Sequence, residues 1–217
     1  MLLIECPQGT PEWHAARCGV ITASRFKDAC ERLKPGKGET IGKPSAKMLN
    51  YAAEVAIERI SGQPSDEGFV TWQMRRGTEL EPQARLAYEA RTGRLVEESG
   101  VALTEDRVFG YSTDGLIERD GLIEIKCVAS AEKLISLWRD HDLSEYTHQI
   151  QGGLWITGRA WCDFVLYAPQ LASVGKELLI HRVTRDEDFI VNLELDLLAF
   201  KKLVDENEAV LRMPKAA

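Results

Sequence analysis

Apolar positions recur along the chain at two spacings. Between 45 and 61, Met48, Tyr51, Ala52, Val55 and Ile60 lie near period 3.6, which predicts an amphipathic helix. Thr10-Pro11-Glu12 reads as an N-cap with proline in the first turn, opening a short helix to Arg17. Thr22 or Ser24 starts another, running to about Leu33, and the basic stretch Lys34-Pro35-Gly36-Lys37-Gly38 is a loop. Residues 68–91 read as mostly helical, with Leu80, Ala84 and Tyr88 as the core stripe, ending at Gly93. The pattern then changes to strands at about 94–98, 101–105, 109–118 and 121–128. A turn at Arg119-Asp120-Gly121 joins the last two. Helices follow at 130–139 and 144–157, strands at 161–168 and 176–183, and a final helix at 186–211. This order predicts an α/β fold, a central mixed β-sheet flanked by helices. No repeat or long linker interrupts it, so residues 1–217 are expected to form a single domain.

Composition narrows the class only a little. The 217 residues are 44% hydrophobic and 28% charged, enough for one sizeable core. No window approaches the apolar length of a membrane span, and the N-terminus lacks the pattern of a signal peptide. Cys6, Cys18, Cys30, Cys127 and Cys162 are odd in number and form no CxxC pair. That argues against a zinc site and a disulfide framework, and a reducing cytoplasm is expected. Net charge is −7, but its distribution is uneven. From Arg17 to Lys47 there are eight basic side chains against three acidic; from Asp186 to Glu208 there are eight acidic against two basic. Such a chain can offer one basic face to a polyanion, or simply carry two ordinary solvated faces.

The candidate chemistry centres on Ser112-Thr113-Asp114-Gly115 and, ten residues beyond Asp114, Glu124-Ile125-Lys126. Side chains alternate along a strand, so Glu124 and Lys126 share one face and Ile125 points to the other. A hairpin can bring Asp114 beside Glu124, and two carboxylates make a hard oxygen site suited to Mg²⁺. Residues 121–128 otherwise read as a buried strand, where two charges are costly unless paired or metal-bound. Three other segments carry both a functional and a plain reading. In Glu12-Trp13-His14-Ala15-Ala16-Arg17-Cys18-Gly19-Val20-Ile21-Thr22-Ala23-Ser24, Arg17 can fork onto a phosphate beside the hydroxyls of Thr22 and Ser24, or these residues are a surface charge and helix caps. Glu81, a turn beyond Gly77, can lean into the metal site or lie on a solvated helix face. Gln149 can orient a water or phosphate oxygen, whereas His148 reads better as a partly buried core residue.

Taken in order, these segments resemble the phage lambda-exonuclease family, recombination nucleases of the restriction-endonuclease-like group. The resemblance runs from about Thr10 to Arg212. It rests on E-W-H-x-x-R-x-G-V-I-T-A-S, R-G-x-x-x-E, S-x-D-G, E-x-K followed by cysteine, and Y-x-x-Q-x-Q. It implies a restriction-endonuclease-like fold and a 5′→3′ exonuclease on linear double-stranded DNA ends. Such an enzyme leaves a 3′ single strand for a single-strand annealing protein, and the family works as a ring-shaped homotrimer. It implies Mg²⁺ as cofactor, two ions in number, with Mn²⁺ able to substitute. Asp114, Glu124 and the Ile125 carbonyl match the metal ligands, and Glu81 matches the acid of a second metal position. Lys126 and Gln149 match the residues beside the attacking water. Arg17 matches the 5′-phosphate anchor, with Thr22, Ser24, Ser112 and Trp13 in the DNA-binding set. Family members can carry a further arginine after the E-x-K strand. Here Ser130-Ala131-Glu132-Lys133 occupies that stretch, and Lys133 offers a point charge in place of a fork. A phage- or prophage-encoded protein in the bacterial cytoplasm is expected, with no membrane partner. The alternatives are a structure- or sequence-specific endonuclease of the same fold, which needs no end anchor, and a non-catalytic DNA-binding relative.

Overall fold

The computed structural model describes residues 1–65 and 71–214, without the side chains of Gln73 and Met74. The chain opens with β1 (Leu2–Ile4), α1 (Pro11–Arg17) and β2 (Ile21–Thr22). A 3₁₀ turn at Ala23–Arg25 leads into α2 (Phe26–Cys30), and α3 (Ala46–Ser61) and α4 (Trp72–Thr92) follow. Short strands β3 (Val96–Glu97), β4 (Val101–Leu103), β5 (Phe109–Ser112) and β6 (Gly115–Ile117) precede β7 (Gly121–Lys126). Then come α5 (Ala131–Asp140), α6 (Thr147–Thr157), β8 (Trp161–Tyr167), a 3₁₀ segment at Pro169–Val174, β9 (Leu178–Thr184) and α7 (Glu187–Arg212).

Helix starts follow local capping chemistry. The side chains of Thr10, Ser45, Ser130 and Asp186 each accept a backbone N–H three residues on, satisfying a donor the helix leaves orphaned. Thr22 and Ser24 depart from this expectation. Thr22 makes no side-chain cap, β2 precedes the turn, and the helix after it stops at Cys30 rather than near Leu33. The first residues of the expected helix 68–91, numbers 68–70, lie outside the described residues. Ile60 is 41% exposed; Ala56 takes its place in the buried stripe of α3.

The expected α/β arrangement of mixed sheet flanked by helices is present, with its strands divided between two mixed sheets. One has four strands in the order β1-β4-β5-β2, the other five in the order β3-β6-β7-β8-β9. The division falls inside the expected strand 109–118. β5 pairs with β4 and parallel to β2, whereas β6 forms a hairpin with β7, and Thr113-Asp114 belongs to neither strand. At the break the Thr113 hydroxyl hydrogen-bonds the Gly115 carbonyl and N–H, holding the turn by which the chain passes from one sheet to the other.

Alternation along β7 sorts its side chains between two cores. Ile123 and Ile125 join Ala84 and Tyr88 of α4, while Leu122 joins the larger core built with α2, α3, α6 and α7. Glu124 and Lys126 therefore point toward the α6 side. Gly152 and Gly153 bring α6 against Phe26 and Tyr111: a Cβ on Gly153 would lie 2.6 Å from the Tyr111 ring. Where the chain is described, no helix is long and apolar enough to cross a membrane.

Candidate active site

Glu124 stands at the centre of the site and is 1% exposed. Its Oε1 accepts Lys126 Nζ at 2.5 Å and Gln149 Nε2 at 2.6 Å, and its Oε2 accepts Tyr111 Oη at 2.8 Å. Three separate elements deliver these donors: β7 itself, α6 and β5. Asp114, in the break between β5 and β6, accepts the Ile125 N–H on Oδ2 at 2.6 Å. That edge of β7 has lost its partner, because β6 pairing ends at Gly115–Ile123. The Ile125 carbonyl lies on the same edge, since both backbone groups of one strand residue point the same way.

The electrostatics are unbalanced. Burial first, and repulsion from Glu124 second, push the Asp114 carboxyl well above the usual range; Lys126 only partly offsets this, and Glu81 adds to the repulsion. Burial also raises Glu81, although Arg85 opposes the rise. Burial disfavours the Lys126 charge, but Glu124 and Asp114 outweigh it and raise its pKa. Burial and Glu124 hold the Tyr111 phenol well above its usual value, so it remains a donor.

Glu81 is near but engaged elsewhere. It pairs with Arg85 at 3.0 Å, and Arg85 also pairs with Glu98 and reaches the Asp114 carbonyl at 3.5 Å. Glu81, Arg85, Asp114 and Trp13 line a cavity of about 890 Å³. Among the described residues, no three His, Cys, Asp or Glu side chains gather as a preformed metal cage. The donor set nevertheless fits a hard divalent cation. Two adjacent carboxyl groups share one lysine, the repulsion of Glu124 helps to raise Asp114, and a strand carbonyl lies on the same open edge.

The expected anchor residues form two linked groups. Arg17 Nη1 donates to Ser112 Oγ at 2.7 Å, and its guanidinium stacks on Trp13 at 4.2 Å. It pairs with no carboxylate among the described residues. Ser112 and Asp114 are two residues apart, which ties this group to the carboxylates. Thr22 and Ser24 hydroxyls are 3.3 Å apart, and the Thr22 N–H donates to Tyr51 Oη. Tyr51 also lies in the field of Arg17, connecting the groups. Lys133 does not join them; it pairs with Glu145 at 2.6 Å. His148 is half-buried, edge-on to Phe189, with Nδ1 unpartnered among the described residues.

Sequence reasoning missed Tyr111 and Arg85. Arg85 was legible as an i,i+4 partner of Glu81 on one helix; Tyr111 carried no such signal, because its partner lies in the other sheet. The expected basic face is also smaller than the charge count implies. Arg32 pairs with Asp196 of the acidic α7, Arg25 with Asp28 and Glu54, Lys43 with Glu39, and Lys47 with Glu31. All five cysteines are free.

No curated protein sequence matches the chain at a significant level. The crystal structure of an alkaline exonuclease, LHK-Exo, from Laribacter hongkongensis is similar at 36% identity and a TM-score of 0.79, covering 94% of this chain and 97% of that one. The same enzyme in complex with dAMP matches equally. A phage-related exonuclease from Haemophilus somnus 129PT shares the fold at a TM-score of 0.70 and 16% identity, covering 88% of this chain and 96% of that one. The YqaJ-like viral recombinase domain matches residues 12–160. With two thirds of its length matched to that domain and a solved relative at 36% identity, the chain belongs to the YqaJ-like viral recombinases, the lambda-exonuclease family of deoxyribonucleases.

Proposed function

We propose that this chain, as a single nuclease domain, is a Mg²⁺-dependent exonuclease that digests linear duplex DNA from its 5′-phosphorylated ends. It degrades one strand 5′→3′ and leaves a 3′ overhang for recombination by single-strand annealing. The observation that carries this reading is the convergence of Lys126 and Gln149 on Glu124, beside Asp114, in a chain 36% identical to an alkaline exonuclease.

Asp114, Glu124 and the Ile125 carbonyl would hold one cation, and Glu81 would serve a second after exchanging Arg85 for it. A cation bound there supplies charge neutralisation at the phosphodiester and a more acidic water. Lys126 adds positive charge beside the nucleophile and donates to Glu124 Oε1. Gln149 fixes the same carboxylate and keeps its carbonyl oxygen for an attacking water. Arg17, held by Ser112 and Trp13, offers a fork to the terminal 5′ phosphate, with Thr22 and Ser24 as hydroxyl partners. Gripping that end sets the next phosphodiester against the carboxylates, which accounts for polarity. Mn²⁺ substitutes for Mg²⁺, the working form is a homotrimeric ring, and the annealing protein receives the tail in the host cytoplasm.

The test is linear duplex DNA carrying a 5′ phosphate on one strand only. Loss of that strand alone, stopped by EDTA and by Asp114→Ala, is expected. Efficient cutting of covalently closed circles would move the protein to the endonuclease reading.

A further inference from the structure

Tyr111 lies outside every acid, lysine and glutamine pattern, yet it is the contact that ties the two sheets together at Glu124. It sits on β5 in the four-stranded sheet and is 1% exposed; Glu124 sits on β7 in the five-stranded sheet. We infer that Tyr111 is a positioning residue: its hydroxyl orients Glu124, and through Glu124 sets how tightly this site binds its divalent cation. The inference rests on the metal-dependent reading above.

The geometry supplies the argument. A carboxylate offers about four lone-pair positions. Lys126 and Gln149 occupy Oε1, and Tyr111 occupies one position on Oε2, leaving one for a cation. Without Tyr111, Oε2 would have no fixed partner among the described residues. The Tyr111 ring is itself held, because Gly153 of α6 leaves no room for a Cβ beside it. The same helix carries Gln149 one turn earlier. One packing contact therefore sets the donors on both oxygens of Glu124. Partners that orient a ligand in this way are worth about 10- to 100-fold in metal affinity.

Tyr88 provides an internal control. Its hydroxyl donates to Asp163 at 2.7 Å, on the strand next to β7 and in the other core. Tyr111→Phe and Tyr88→Phe each delete one hydroxyl and keep the ring. Mg²⁺ and Mn²⁺ are titrated calorimetrically into the full chain and both variants, and the Mg²⁺ needed for half-maximal DNA digestion is measured. Tyr111→Phe is expected to weaken cation binding about 10- to 100-fold. It should raise the Mg²⁺ midpoint in step, recover most of its rate at saturating Mg²⁺, and keep its KM for DNA. Tyr88→Phe is expected to leave the cation midpoint unchanged. If Tyr111→Phe does not melt cooperatively, 3-fluorotyrosine at position 111 takes its place, and a shifted midpoint is again expected. An unchanged midpoint at position 111 in an active enzyme overturns this inference alone. A wild-type chain that neither binds a cation nor digests DNA overturns the exonuclease reading and this inference with it.

Discussion

Two buried carboxylates on adjacent strands show how alike a structural and a functional acid can look. Glu124 on β7 and Asp163 on β8 are 1% and 2% exposed, and each accepts a tyrosine hydroxyl and a cation. Asp163 has its charge matched: Arg182 bonds both its oxygens at 2.8 Å and stacks on Trp161 at 3.6 Å. Glu124 shares one lysine with Asp114, and Glu81 stands close enough to repel both. The first cluster is a closed ion pair on the α4 side of the sheet. The second crowds Glu124, Asp114 and Glu81 together at the edge of a cavity. Crowded, mutually repelling acids are what a stability argument cannot explain and cation binding can.

The comparison can be broken by isosteric neutralisation. Asp114→Asn is expected to lower the single-turnover rate at least about a thousandfold, on the scale of losing a transition-state charge contact. It should melt at or above the wild-type temperature, because it removes a repelled charge. A melting temperature several degrees lower would mean that the acids are structural. Lys126→Ala is expected to lower the chemical rate about 100- to 1000-fold with DNA binding retained; near-normal single-turnover rates would remove it from the site. Asp163→Asn should behave in the opposite way. It is expected to cost about 1–2 kcal/mol in chemical denaturation, since it weakens two charged hydrogen bonds from the partly exposed Arg182, while activity per folded molecule holds. Arg17→Ala is expected to reduce the preference for 5′-phosphorylated over 5′-hydroxyl ends about tenfold, a charged hydrogen bond's worth. An unchanged ratio, measured on matched duplexes, would take it out of the anchor. The smallest effect is expected from Lys133→Ala. It breaks an exposed pair with Glu145 and should change stability by less than about 1 kcal/mol. A large loss of DNA affinity would instead make Lys133 the stand-in for the family's further arginine.

Where the sequence was legible, the physics was local. Alternation along one strand placed Glu124 and Lys126 together and sent Ile125 to the other core, as expected. Capping chemistry marked the start at Thr10, and the helix starts expected at 45, 130 and 186 fall on the observed caps Ser45, Ser130 and Asp186. The order of short motifs was enough to identify the family. Where it misled, the deciding partner was far along the chain. The stretch 109–118 reads as one strand because nothing in its own pattern says that its halves pair with different sheets. The basic run from Arg17 to Lys47 reads as one face because the acids of α7 that draw in Arg32 lie some 160 residues later.

By itself, then, the sequence determined the identity of the acids and the lysine, their shared face on β7, and the family to which the chain belongs. These follow from residue type and from spacing of two or of three to four, which the backbone imposes within a few residues. Only the tertiary structure decided that Asp114 fills the gap where β6 leaves β7. It alone brought Tyr111 across from the other sheet to Glu124. Those outcomes depend on sheet pairing and on a glycine contact between α6 and β5, neither of which is encoded at short range.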